Sequence, residues 1–413
     1  MSETPIPDAA ARGARPLRVL LAGGGTAGHV NPLLATAAAL RDGATGGDPD
    51  TRILVLGTAE GLEQRLVPEA GYELAYVPRV PMPRRPTGDL LLLPRRLRKA
   101  VAAARAAIER VGADVVVGFG GFVSTPAYLA ARSADIPVVI HEQNARPGLA
   151  NRLGARWAAA VALTFASTPL AASHGRTDIT GLPLRPAISG LVDRLRADAA
   201  ATRRAGADAL GLDPNAPTLL VTGGSLGAQH LNEVMCTCIG ELPEGLQVLH
   251  LTGRGKDAPV RAAVAQAGDA ATRYHVLDYL TAMEQAYACA DGVICRSGAG
   301  TVAELTALGL PALYVPLPIG NGEQRLNAAD CVAAGGGQLV DDADLRAQDV
   351  LAFTDLLTDS ARRERVAQAA ASTGVRDGAE RLAQLIREVA RPAAPPAGSG
   401  KDHPGSTDEE QNR

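Results

Sequence analysis

Three absences narrow the field before any motif is read. The five cysteines (Cys236, Cys238, Cys289, Cys295 and Cys331) form no C-x-x-C pair and no zinc-type spacing, so no disulfide or metal staple is expected. Their odd number, with no apolar leader between Met1 and Pro16, points to a reducing compartment. No apolar stretch approaches the ~18 residues needed to cross a bilayer, which leaves a soluble or peripheral intracellular protein. A global basic excess is also missing. Lys and Arg total 41 against 44 Asp and Glu, for a formal charge of −3, so no nucleic-acid partner is expected.

What is present is length, glycine and repetition. The 413 residues are 46% hydrophobic, with 45 Gly and 28 Pro, enough for two domains with substantial cores. Apolar runs recur at Leu17–Ala22, Arg52–Leu56, Leu74–Val77, Asp114–Gly118, Pro137–Ile140 and Ala159–Leu163. A second series follows at Thr218–Val221, Gln247–Leu251, Tyr274–Val276, Gly292–Cys295, Ala312–Val315 and Gln338–Val340. Runs that are apolar throughout suit parallel strands covered on both faces. Helical patterns fall between them, at Pro32–Arg41, Gly61–Ala70, Ala228–Ile239, Thr301–Leu308 and Gln324–Ala334. A Pro/Gly-rich break around Gly181–Pro186 separates the two series.

The economical fold is α/β, two Rossmann-like doubly wound parallel-sheet domains facing a cleft. Expected boundaries are 17–182 for an acceptor and membrane-facing domain and 183–375 for a nucleotide-sugar domain. A last helix at 376–392 returns to the first domain, and polar tails at 1–16 and 393–413 are expected to be disordered.

Each half opens with a strand running into glycines. Gly23 to Gly28 fits G-x-G-x-x-G, but the second strand ends in Gly57 rather than an acid for a ribose, which argues against a dinucleotide. His29 follows in what reads as the first turn of a helix, where the positive end favours a neutral imidazole; it is either a base or a ring hydrogen-bonded in the turn. A second glycine loop, Gly118 to Ser124, and a polar cluster, His141-Glu142-Gln143-Asn144, fall at the same sheet edge. In the second half, Gly223-Gly224-Ser225 forms a phosphate cradle at a helix start. Arg296 to Glu304 offers another, with Glu304 placed for ribose hydroxyls. Thr301 and Glu304 also fit a T-x-x-E capping box, and both readings can hold together. Gly320 to Asn327 opens a further helix with groups suited to sugar hydroxyls. Gly253-Arg254-Gly255-Lys256 lacks P-loop spacing, so no ATPase is expected.

One segment stands apart. Between Arg79 and Arg110 there are nine basic residues against Asp89 and Glu109, with Met82 and Leu90 to Leu93 among them. Apolar groups in a cationic field suit an anionic lipid surface; the alternative is a solvated helix with a leucine face on the core.

Taken in order, five motifs resemble one family. They are Gly24-Gly25-Thr26-Ala27-Gly28-His29-Val30-Asn31-Pro32, Gly118 to Ser124, His141 to Asn144, Gly223 to Ala228, and Cys295 to Thr301. The family transfers N-acetylglucosamine from its UDP conjugate to undecaprenyl-pyrophosphoryl-N-acetylmuramyl-pentapeptide (lipid I), giving lipid II for peptidoglycan. The resemblance spans about residues 17–391. It implies a GT-B fold, an inverting transfer with no metal and no cofactor, and a peripheral place on the cytoplasmic face of the cell membrane, beside other cell-wall and division proteins. Carried over residue by residue, His29 is the base toward the acceptor hydroxyl. Thr26, Ala27, Gly28, Asn144, Arg185, Ser225, Leu280, Ala299, Gly300, Thr301, Val302, Ala303, Glu304 and Gln324 match the UDP-N-acetylglucosamine positions. Ala27 stands where the pattern more usually has Gly. The rivals are another GT-B enzyme, such as a UDP-sugar epimerase, and a non-catalytic nucleotide-sugar-binding scaffold.

Overall fold

The computed structural model describes residues 15–80, 93–224, 227–319 and 321–390. Outside them lie Ser225, Met82, Leu90 to Leu92, the tail expected at 393–413 and most of that expected at 1–16.

The first half runs β1 (Arg18–Ala22), α1 (Ala27–Arg41), β2 (Arg52–Gly57), α2 (Glu63–Glu69), β3 (Glu73–Tyr76), α3 (Leu93–Val111), β4 (Val115–Gly118), α4 (Gly121–Ser133), β5 (Val138–Glu142), α5 (Leu149–Gly154), β6 (Ala160–Leu163) and β7 (Arg176–Ile179). All seven strands pair in parallel, in the order β3-β2-β1-β4-β5-β6-β7. The cause is visible in β1, where Val19, Leu20, Leu21 and Ala22 have no exposed surface. Side chains on both faces of such a strand need cover, and alternating helices supply it. Leu20 and Ala22 pack with Ala104 and Ile108 of α3 and Ala127 of α4, while Val19 and Leu21 pack with Leu33 and Leu40 of α1.

The second half repeats the plan with α6 (Pro186–Ala197), α7 (Ala199–Leu210), β8 (Thr218–Thr222), α8 (Gln229–Cys238), β9 (Gln247–Leu251), α9 (Ala258–Ala265), β10 (Tyr274–Leu277), α10 (Met283–Cys289), β11 (Gly292–Cys295), α11 (Ala299–Leu308), β12 (Ala312–Tyr314), α12 (Glu323–Asn327), α13 (Ala329–Ala333), β13 (Gly337–Leu339), α14 (Ala347–Thr358), α15 (Ser360–Ser372) and α16 (Gly378–Ala390). Its parallel strand order is β10-β9-β8-β11-β12-β13. The last helix leaves this half altogether. Leu382, Ala383, Leu385 and Ile386 of α16 are buried with Leu33 and Ala37 of α1 and with Val115 and Val117 of β4.

The expected pair of doubly wound sheets is therefore what the chain forms, with local differences. Helix α1 starts at Ala27 rather than Pro32, because the Thr26 carbonyl already accepts the N–H groups of His29 and Val30, each at 3.1 Å. Pro32 then sits inside the helix, and the only ladder bond it forgoes is one to the Gly28 carbonyl. Strand β5 runs on through His141 and Glu142, which the sequence placed beyond it. The expected helix at Gln324–Ala334 is two short ones, α12 and α13. Strand β7 has no apolar run to announce it, since Arg-Thr-Asp-Ile is an exposed edge.

Candidate active site

In each sheet the strand order reverses once, between β1 and β4 and again between β8 and β11. A crevice opens outside the carboxyl ends of strands at such a point, and ligands bind there. The glycine loops follow these four strands.

At the first reversal, Ala22 of β1 pairs with Gly118 of β4, so the loops after them lie side by side. Thr26 is the N-cap of α1, and Ala27 and Gly28 are exposed on its first turn. His29 is half-buried there, with Nδ1 3.2 Å from Thr26 Oγ1. The second loop closes over the ring. Gly120 and Gly121 have φ of +90° and +78°, and a Cβ on Gly120 would stand 3.2 Å from His29 Nε2. Glycine is thus required twice over, by backbone and by space. Burial lowers the His29 pKa below its usual 6.5, outweighing the Gly24 carbonyl and the charge of Glu63, which both raise it. That direction favours the neutral ring at pH 7, and a neutral imidazole carries one nitrogen lone pair that can take a proton.

The polar cluster on β5 divides into structural and cleft-facing parts. His141 is fully buried, with Nε2 3.1 Å from the Gly181 carbonyl and its pKa pushed down to about 4 by that burial. Glu142 accepts from the N–H groups of Asn144 (3.0 Å) and Gly148 (2.9 Å) and from Asn151 Nδ2 (2.9 Å). These two shape the loop that follows. Asn144 is the member that reaches the other half, where Asn327 Nδ2 donates to its Oδ1 at 3.3 Å. Asn327, in α12, also accepts from the Ala145 N–H at 2.8 Å and donates to the Ser297 carbonyl at 3.3 Å. Arg146 bonds the Asn321 carbonyl nearby. The cleft is bridged by these contacts.

At the second reversal, a cavity of about 200 Å³ lies beyond β8, β9 and β11. Thr222, Gly224, Leu280, Tyr287, Arg296 and Thr301 are among its walls, and Arg254 stacks 4.2 Å over Tyr279 at its side. Helix α11 enters it differently from the expected capping box. Gly298 (φ −61°, ψ 147°) is the N-cap, so Thr301 falls in the first turn and Glu304 lies too far along to cap. Ala299, Gly300 and Thr301 carry the N–H groups that an anion at the helix start would meet. Val302 and Ala303 are buried in the core, and the Val302 N–H already donates to the Gly298 carbonyl at 3.0 Å. Glu304 accepts from Arg185 Nε at 2.8 Å. Gln324 Oε1 accepts from the Leu317 N–H at 3.0 Å, shaping the loop before α12. Ser225 lies outside the described residues.

One side chain at the first reversal is signalled by no motif. Glu63, at the start of α2, has no exposed surface and accepts hydrogen bonds from Gly25 and Thr58. Its sequence mark is faint, a carboxylate two residues after Gly61. Among the described residues, no three His, Cys, Asp or Glu side chains are grouped to hold a metal ion.

Comparison with known proteins falls on the same two halves. Residues 19–163 match the glycosyltransferase family 28 N-terminal domain, and residues 218–382 match the family 28 C-terminal domain. A protein of Bifidobacterium longum is 50% identical over 389 residues, covering 91% of this chain and 98% of that one. A protein of Nocardioides is 52% identical over 376 residues, covering 90% and 98%. Both are named UDP-N-acetylglucosamine--N-acetylmuramyl-(pentapeptide) pyrophosphoryl-undecaprenol N-acetylglucosamine transferase. The crystal structure of MurG from Acinetobacter baumannii superposes with a TM-score of 0.71 at 28% identity, covering 90% of this chain and all of that one.

Proposed function

The chain belongs to glycosyltransferase family 28, and from that premise we propose that it moves N-acetylglucosamine from UDP-N-acetylglucosamine to the C4 hydroxyl of the muramyl sugar of lipid I, making lipid II for the cell wall. One observation carries the reading. A neutral imidazole lies at one strand-order reversal, and a cavity with a helix N-terminus lies at the other.

The donor occupies the second half. Its uracil meets the backbone of Leu280, its diphosphate the N–H groups of Ala299, Gly300 and Thr301 with Ser225, and its ribose the Glu304 carboxylate held by Arg185. Its sugar extends toward Gln324 and Asn144. The acceptor comes from the first half, over Thr26, Ala27 and Gly28. The C4 oxygen attacks the anomeric carbon as His29 takes the hydroxyl proton. A C–O bond forms, the bond from that carbon to the diphosphate breaks, and configuration inverts in one displacement. General-base help of this kind is worth ~10²–10⁴-fold. Charge growing on the departing UDP falls on the α11 N-terminus.

The basic segment supports a peripheral site on the cytoplasmic face of the membrane. In its described part, Pro94, Leu97, Val101 and Leu129 line a shallow groove between α3 and α4 with Arg98 and Arg105 beside it. Among the described residues, no helix is long and apolar enough to cross a membrane.

The test is incubation with radiolabelled UDP-N-acetylglucosamine and a lipid I analogue. A labelled disaccharide on the lipid is expected. Consumption of the donor by hydrolysis or epimerisation, with no disaccharide, overturns the reading.

A further inference from the structure

A carboxylate with no contact to water costs several kcal/mol unless hydrogen bonds replace its hydration. Glu63 meets that demand with neutral donors. Oε1 accepts from the Thr58 N–H and hydroxyl, each at 2.8 Å, and Oε2 accepts from the Gly25 N–H at 2.8 Å. Three glycines from two segments make room for it, because a Cβ on Gly24, Gly57 or Gly61 would overlap the Glu63 side chain. That is extensive accommodation for a charge which, as a mere turn lock, a smaller neutral acceptor could replace.

The geometry shows what the charge does. The Gly25 N–H and the Gly24 carbonyl belong to one peptide group. Glu63 takes its N–H end, and the chain runs on directly into Thr26, whose Oγ1 lies 3.2 Å from His29 Nδ1, while the Gly24 carbonyl and the Glu63 charge both favour the protonated ring. We infer that Glu63 is a positioning residue for His29, acting through the Gly24–Gly25 peptide. This deepens the proposed function and rests on His29 being the base.

Two effects follow from this arrangement. A carboxylate accepting the N–H polarises the amide and makes its carbonyl a stronger acceptor, which favours the imidazolium that forms as the hydroxyl proton arrives. The same carboxylate fixes a turn in which Gly25 holds φ +91°, and so fixes where α1 begins. Around the ring, α1 contributes Thr26, the start of α4 contributes Gly120 and Gly121, and Asn151 of α5 stands beside Gly120; none of these titrates. Among the described residues, Glu63 is the charged group that acts on the imidazole, while Arg79, stacked 5.2 Å over Phe122 of α4, is paired with Glu60 at 3.4 Å.

The experiment compares Glu63→Gln with His29→Ala in the full chain, following kcat, donor KM and the pH profile. Glu63→Gln is expected to lower kcat about tenfold, leave donor KM within about twofold, and move the acid limb of the profile to lower pH, since the imidazole loses the negative charge that supports its protonated form. Wild-type kcat and an unmoved acid limb in Glu63→Gln, beside an inactive His29→Ala, remove Glu63 from the mechanism and leave the base in place. Lower thermal stability with an unmoved limb also overturns the inference, since it marks a purely structural role. Wild-type turnover in His29→Ala instead overturns the base itself. Should Glu63→Gln not fold, ¹⁵N NMR of the wild-type protein decides. The Gly25 amide and the His29 ring are expected to titrate with one midpoint, and a Gly25 amide that stays still through the His29 titration counts against the relay.

Discussion

Arg185 Nε donates to Glu304 Oε1 at 2.8 Å across 119 residues of sequence, joining the start of the second half to the helix that borders its cavity. Burial alone would weaken the arginine's charge, but the Glu304 carboxylate more than reverses this and raises the Arg185 pKa. Glu304 is the more enclosed partner, with 10% of its side chain exposed against 30% for Arg185. The arginine therefore fixes the direction of the carboxylate.

Removing the aiming group is the first test. Arg185→Ala strands a nearly buried carboxylate, so stability is expected to fall by about 1–3 kcal/mol in denaturant unfolding. Donor KM is expected to rise roughly 10- to 100-fold, with a smaller change in kcat at saturation. An unchanged donor KM would place Glu304 outside the sugar-nucleotide site.

For His29 as the proposed base, His29→Ala is expected to reduce kcat at least about a hundredfold while UDP binding, measured by calorimetry, changes little. In the wild-type enzyme the acid limb of the rate profile is expected below pH 6.5, because burial lowers the His29 pKa. A limb at or above 6.5 contradicts a desolvated imidazole in this role.

Most of the architecture was legible because its cause is local. Strands such as β4 and β6 are apolar from end to end, and glycines follow the strands that flank each reversal. What escaped has causes that are not local. Strand β7 is held by pairing with β6 rather than by its own side chains. The start of α11 depends on the backbone of Gly298, which competes with an equally plausible Thr301 cap. Asn327 and Glu63 act on segments far along the chain, Ala145 and Gly25, and only the folded molecule brings these together.

Two buried histidines make stability depend on pH. Burial pushes His141 down to about 4 and His250 down to about 3; His250 lies with Nδ1 2.8 Å from the Tyr274 hydroxyl and Nε2 3.0 Å from Asn232 Oδ1. Unfolded, each would titrate near the ordinary ~6.5. Between these values the unfolded chain binds the extra protons, so their contribution is full above pH ~6.5 and is lost as pH falls. Each ring removes about 1.4 kcal/mol per pH unit. Unfolding titrations from pH 7 to 4.5 are expected to show this slope, reduced by close to one proton in His250→Gln. An identical slope in that variant would mean His250 is protonated in the fold.

At the membrane, full-length protein is expected to bind anionic vesicles at low salt and to release as salt rises. Reversing the charge of Arg95, Arg96 and Arg98 together is expected to abolish binding in a flotation assay while leaving UDP affinity intact. Retained binding would move the lipid-facing surface elsewhere.

The return of α16 to the first half means that the chain crosses between the halves twice. The crossings run against each other, for a Cβ on Gly181 would overlap Val375, and one on Gly378 would stand 2.6 Å from the Leu182 carbonyl. A single tether would let two bodies swivel in any direction. Two strands of chain lying against each other remove part of that freedom, so the seam joining the halves is itself packed rather than a bare linker.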